Sequence, residues 1–148
     1  RLIEKARIKD APQSFCDIGC GSGILMIGAA KLGYSPIAGL DNDPLSVKVA
    51  RENLAANGID GKSYRLHLTD VACFNPPRKF DVIAANIISG TLKENAATLK
   101  SCMKPHGSLI LSGIMDTEHR QVIETFSALG LKETDFLSED GWAAASLS

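Results

Sequence analysis

The chain has 148 residues, 45% hydrophobic and 22% charged, so it can bury a single core without staples and is too apolar for disorder. Lys and Arg number 16 against 17 Asp and Glu, a net charge of -1, which offers no phosphate-neutralising face and makes direct nucleic-acid binding unexpected. Its four cysteines form no C-x-x-C pair and no apolar run approaches about 18 residues, so neither a metal nor a membrane is expected and the chain reads as cytoplasmic.

Apolar runs and helical patterns alternate from Ser14 onward. Ser14 to Ile18 (SFCDI) is a short buried strand ending in glycines. Ile24 to Leu32 is apolar nearly all round and closes at Gly33, as a helix packed on a sheet does. Pro36 to Leu40 is the next strand. Asp43-Pro44 opens a helix, with Asp as N-cap and Pro at the first helical position. That helix carries Val47, Ala50 and Leu54 on one face and stops at Asn57-Gly58. Ser63 to Leu68 alternates as a third strand, and Phe80 to Ala85 reads as an interior fourth. Leu92, Ala96, Leu99 and Met103 then mark one face of a helix. Pro105-His106-Gly107 is a predicted turn before a fifth strand, Ser108 to Leu111. Thr117 to Leu129 is a helix with Val122, Ile123, Phe126 and Leu129 inward and Gly130 as its stop. Two last runs, Leu131 to Leu137 and Trp142 to Leu147, flank Asp140-Gly141, the signature of an antiparallel hairpin. The pattern predicts an α/β fold, a mostly parallel, doubly wound sheet covered on both faces in three layers. Ligands of such sheets sit beyond the carboxyl ends of the strands.

The residues just after each strand therefore carry the functional reading. Gly19, Cys20, Gly21, Ser22 and Gly23 form a glycine-rich turn opening into a helix, where backbone can approach a ligand closely. The spacing is G-x-G-x-G rather than the dinucleotide G-x-G-x-x-G, and no Gly-Lys-Ser/Thr ending of a P-loop follows. Asp17 stands just before the turn; a carboxylate there suits a ligand bearing an ammonium and a sulfonium better than one bearing a pyrophosphate. After the second strand, Asp41 is placed to accept both hydroxyls of a ribose. Asp43 is better explained as the helix cap, and Asn42 either lines an adenine edge or shapes the turn. Asp70, after the third strand, accepts from an adenine amino group or is a turn or cap residue. Asn86, after the fourth strand, either orients an incoming amine beside a transferring methyl group or caps the next helix. Asn75-Pro76-Pro77 resembles a motif of methyltransferases acting on amide and adenine amines, but it precedes the fourth strand instead of following it. No histidine neighbours a nucleophile elbow, so a hydrolytic triad has no support.

Together, DIGCGSGILMIGAAKLG from Asp17, GLDNDPLSVKVARENLAANGI from Gly39, FDVIAANII from Phe80, MKPHGSLILSGI from Met103 and the closing Gly141-Trp142-Ala143 resemble the ribosomal protein L11 methyltransferase family. The resemblance runs from about Phe15 to the end. It implies a seven-stranded class I fold, S-adenosylmethionine as methyl donor, Gly19, Asp41 and Asn86 as cofactor contacts, and N-methylation of lysine or terminal amines on a ribosomal protein substrate. The family's N-terminal substrate domain and Thr-containing lid loop have no counterpart in these 148 residues. Residues 1–148 are thus expected to form one domain, and the chain, starting at Arg1, to be a piece of a longer protein. No general base stands out, so positioning by Asn86 and exclusion of water are expected to dominate the chemistry.

Overall fold

The structure is a computed structural model in which residues 1–9 and 11–148 are described. In its first half the chain forms α1 (Leu2–Lys5), β1 (Phe15–Ile18), α2 (Ile24–Lys31), β2 (Ile37–Asp41), α3 (Pro44–Ala56) and β3 (Tyr64–Leu68). A 3-10 turn (Val71–Cys73) leads to β4 (Phe80–Asn86), α4 (Ser89–Glu94), α5 (Ala96–Ser101), β5 (Met103–Met115), α6 (His119–Ala128), β6 (Glu133–Glu139) and β7 (Trp142–Leu147). The sheet order is β3-β2-β1-β4-β5-β7-β6. The first five strands are parallel, and β7 lies antiparallel between β5 and β6. Strand order reverses between β1 and β4, which opens the crevice expected of a doubly wound sheet.

The two faces of the sheet bury separate apolar layers. Leu2, Met26, Ala29, Ala50 and Leu54, from α1 to α3, pack on Phe15, Val82, Ala84 and Ile110. On the other face Leu92, Leu99, Val122 and Phe126, from α4 to α6, pack on Cys16, Ile18, Ile83 and Leu111. The alternation of side chains along each strand delivers residues to both layers, which is why the interior strands read as unbroken apolar runs. Asp43 caps α3 as expected, accepting from Leu45 N at 3.0 Å and Ser46 N at 3.2 Å. The β6–β7 hairpin turns on Asp140 and Gly141, both at positive φ, the conformation a two-residue Asp-Gly turn requires. No helix among the described residues is long and apolar enough to cross a membrane.

Three expectations change. The helix expected to carry Leu92 through Met103 is divided at Asn95, whose Nδ2 donates to Thr91 O at 2.9 Å in the back-bonded geometry that bends helices. Met103 is not on a helix at all: it opens β5 opposite Phe80, its burial satisfied by the sheet rather than by the helical face. Pro105-His106-Gly107 is a bulge inside β5, where the register slips between the Phe80–Met103 and Val82–Ser108 pairs. β5 also runs beyond Leu111 to Met115, with a second irregularity between Leu111 and Ile114 against β7.

Candidate active site

At the reversal point the exits of β1 and β4 diverge. Gly19 stands at this junction with φ +69°, and a Cβ there would lie 2.5 Å from Ile87 Cγ2. The two turns meet this closely only because position 19 has no side chain. Next to it, Gly21 N donates to Asp41 Oδ2 at 2.9 Å and Asp43 N donates to Asp41 Oδ1 at 3.0 Å. Two backbone N–H groups thus hold the Asp41 carboxylate in one orientation and leave each oxygen capacity for a further donor. Asn42 Nδ2 donates to Asp70 Oδ2 at 3.3 Å, and Asp70 Oδ1 accepts from Ala72 N at 2.8 Å. Asp70 therefore caps the 3-10 turn and also lines the crevice. Gly19, Asp41, Asn42, Asp70, Val71 and Ile87 surround a cleft of about 90 Å³.

Asp17 and Cys20 lie deeper than their sequence positions suggest. Asp17 is 1% exposed, and its Oδ2 has no hydrogen-bond partner among the described residues. Burial, opposed by a backbone N–H of Met26 and reinforced by Asp41, pushes its pKa up to about 7. Cys20 packs in the layer with Met26 and Phe15, its N–H donates to Leu40 O at 2.9 Å, and burial pushes its thiol up to about 12. Its side chain is part of the core, and its carbonyl oxygen accepts from Gly23 N at 2.7 Å, so both of its main-chain polar groups are bonded within the chain. Gly23 likewise serves packing: a Cβ would come 3.1 Å from Ala50 Cβ, so its bareness lets α2 approach α3.

The raised Asp17 pKa makes a stability prediction. Between its unfolded value of about 3.9 and about 7, the native state holds a proton that the unfolded chain has released. Native stability is therefore lost as pH rises through that window, at up to about 1.4 kcal/mol per unit. Asp17→Asn keeps the shape without the charge. Its urea midpoint should match the wild type near pH 4 and exceed it increasingly toward pH 7; parallel midpoints would refute the buried-acid assignment.

Asn86 ends β4 and is exposed. It does not cap α4, whose N-cap is Ile88 with no side-chain cap bond. It lines one cleft of about 440 Å³ with Ile87, Ile88, Ser112, Gly113 and Trp142, and another of about 350 Å³ that includes Leu25, Ala84 and Leu137. Ile87 joins the Asp41 cleft to the first of these, and Asn86, Ser112 and Trp142 join the first to the second. The three clefts form a row over the strand ends, with carboxylates at one end and an exposed carboxamide in the middle. Ser112, Gly113 and Trp142 also line these clefts; the segments that hold them carry the family resemblance, but the sequence reading gave them no role in the site. Asn75-Pro76-Pro77 lies on the loop leading back to the start of β4. The carbonyl oxygen of its neighbour Phe74 meets Cys102 Sγ near the first residue of β5. The motif thus leads to the amino ends of the parallel strands, opposite the carboxyl ends where the clefts lie.

Known proteins resemble this chain in sequence and fold. The family model described as "Ribosomal protein L11 methyltransferase (PrmA)" matches residues 2–148. A ribosomal protein L11 methyltransferase of Brucella abortus is 36% identical over 99% of this chain and 52% of its own length. That of Chloroflexus aurantiacus is 36% identical over 93% of this chain and 49% of its own. The chain thus spans about half the length of the curated relatives it matches. Among solved structures, a ribosomal protein L11 methylase from Lactobacillus delbrueckii subsp. bulgaricus superposes with TM-score 0.89 at 30% identity, covering 99% of this chain and 74% of that one. A SAM-dependent methyltransferase from Thiobacillus denitrificans, in complex with S-adenosyl-L-homocysteine, shares the fold with TM-score 0.77 at 14% identity, covering 99% and 89%. By family model and relatives alike, this chain belongs to the ribosomal protein L11 methyltransferase family.

Proposed function

We propose that this chain is the S-adenosylmethionine-binding unit of an N-methyltransferase whose acceptors are lysine or terminal amines of ribosomal protein L11. The observation that carries the reading is the row of clefts, in which Asp41 and Asn86 stand on either side of the Gly19–Ile87 contact. The names of the relatives support the acceptor.

The residues present fit the donor. Asp41 offers two fixed carboxylate oxygens to a ribose, and Asn42 and Asp70 border the adenine end. When bound, S-adenosylmethionine supplies an electrophilic methyl on a sulfonium. The chain's own contribution is to align and desolvate the acceptor. A lysine amine, which ordinarily titrates near about 10.4, must lose its proton to attack. The Asn86 Oδ1 can accept a hydrogen bond from the neutral amine and so direct its lone pair. The exposed apolar side chains of Ile88 and Trp142 flank the same cleft and would exclude water around the aliphatic stem.

Calorimetry with S-adenosylmethionine, S-adenosylhomocysteine and NAD tests the cofactor, and transfer of labelled methyl to purified ribosomal protein L11 tests the acceptor. Binding of the first two without NAD, and label on L11 amines, are the expected results. Binding of NAD alone would remove the reading altogether.

A further inference from the structure

We propose that Glu118 is a positioning residue of the methyl-transfer site: through Ser89 it clamps the turn after β4 against the turn after β5, and so holds the Asn86 carboxamide in place. This rests on the role given to Asn86 above.

Little holds Asn86 directly. It is the last residue of β4, paired with Ser112 of β5. Its side chain caps no helix, and its orientation is left to packing. The contact that decides it is Gly113, at φ +76°, where a Cβ would lie 3.0 Å from Asn86 Oδ1 and 3.0 Å from Ile87 O. Gly113 sits in the second irregularity of β5, the kind of bulge that re-aims a neighbouring side chain. The carboxamide therefore lies against bare backbone, and its room depends on where the Gly113 turn sits.

Beyond the Asn86–Ser112 pair the β4–β5 ladder ends: β4 leaves the sheet, while β5 runs on to Met115 paired only with β7. Among the described residues, the side-chain hydrogen bond between segments 86–91 and 112–118 runs from Ser89 Oγ to Glu118 Oε2, 2.7 Å long. Ser89 is 6% exposed and is the first residue of α4. Glu118 occupies the N-cap position of α6 yet makes no side-chain cap bond, so helix capping does not account for its placement. A short, charge-assisted, part-buried O–H···O⁻ bond is among the stronger side-chain hydrogen bonds. It ties the residue three positions after Asn86 to the residue five positions after Gly113.

The test uses the full chain with Glu118→Ala, Glu118→Gln and Ser89→Ala. Glu118→Ala should lower kcat for methyl transfer to ribosomal protein L11 by about tenfold or more, with S-adenosylmethionine affinity by calorimetry held within about twofold, because Asp41 and Asp70 lie on the far side of Ile87. Glu118→Gln keeps an acceptor for Ser89 and should restore most of the rate. Ser89→Ala removes the same bond from the other side and should reproduce the loss, which covers the case in which Glu118→Ala fails to fold. A second readout does not require turnover. The side-chain amide NMR signals of Asn86, assigned by their disappearance in Asn86→Ala, should broaden or shift in Glu118→Ala and Ser89→Ala and return in Glu118→Gln. Unchanged Asn86 signals in Ser89→Ala overturn the proposal, as does a Glu118→Gln variant as impaired as Glu118→Ala. If the wild type does not methylate L11, the acceptor reading fails by itself, and the amide signals still decide the clamp.

Discussion

Asp41→Ala is expected to weaken S-adenosylmethionine binding by about 100-fold, measured by titration calorimetry. The carboxylate offers two acceptor oxygens, and hydrogen bonds to a charged group contribute about 1.5–3 kcal/mol each, so losing the pair costs at least about two powers of ten in affinity. Part of the loss comes from the protein side. Gly21 N and Asp43 N now donate to Asp41, and without it the glycine turn and the start of α3 lose the acceptor that sets their spacing. Asp41→Asn retains one carbonyl oxygen and should fall between the wild type and Asp41→Ala. Far-UV circular dichroism should be unchanged in both, because Asp41 is at the rim of the sheet and the β1–β2 ladder does not depend on its side chain. An Asp41→Ala variant binding within about threefold of the wild type would mean that the ribose is held elsewhere.

Asn86→Ala should show the converse: a kcat about 100-fold lower with donor affinity intact. A carboxamide that only orients the acceptor acts in the transferring complex, so its loss appears in turnover rather than in cofactor binding. Because Asn86 has no capping duty in α4 and is exposed, truncation should leave the melting temperature close to that of the wild type. Asn86→Asp keeps an acceptor oxygen but adds a charge that favours the ammonium form of the incoming amine. It should remain slow near neutral pH and recover as pH rises toward the amine's own pKa. Steady-state rates with ribosomal protein L11 against pH separate the variants. Unaltered turnover in Asn86→Ala at unchanged donor affinity would remove the residue from the mechanism.

Much of the site could be read before the fold, because the informative residues are local to strand ends. Asp41 follows an apolar run, Asp43 precedes a proline at a helix start, and Asn86 closes a strand; each needs only its immediate neighbours to be noticed. The same locality explains the failures. Met103 has helical spacing from Leu99, yet it belongs to β5, since a buried position satisfies either period and only the pairing with Phe80 decides. Cys20 sits inside the glycine motif, but its thiol is directed into the layer shared with Met26.

By itself, the sequence determined the alternation of strands and helices, the antiparallel hairpin at Asp140-Gly141, the crevice at the carboxyl ends and some of the residues that line its clefts, Asp41, Asn42, Asp70 and Asn86 among them. These follow from backbone preferences and side-chain periodicity within a few residues of one another. Only the tertiary structure decided that Asp17 is a buried acid with an oxygen unpartnered among the described residues, that Gly113 lies against the Asn86 carboxamide, and that Ser89 and Glu118, 29 positions apart, share a hydrogen bond. Those facts depend on which elements the fold brings together and on how much water it leaves between them. Neither distance across the sheet nor desolvation is encoded in spacing along the chain.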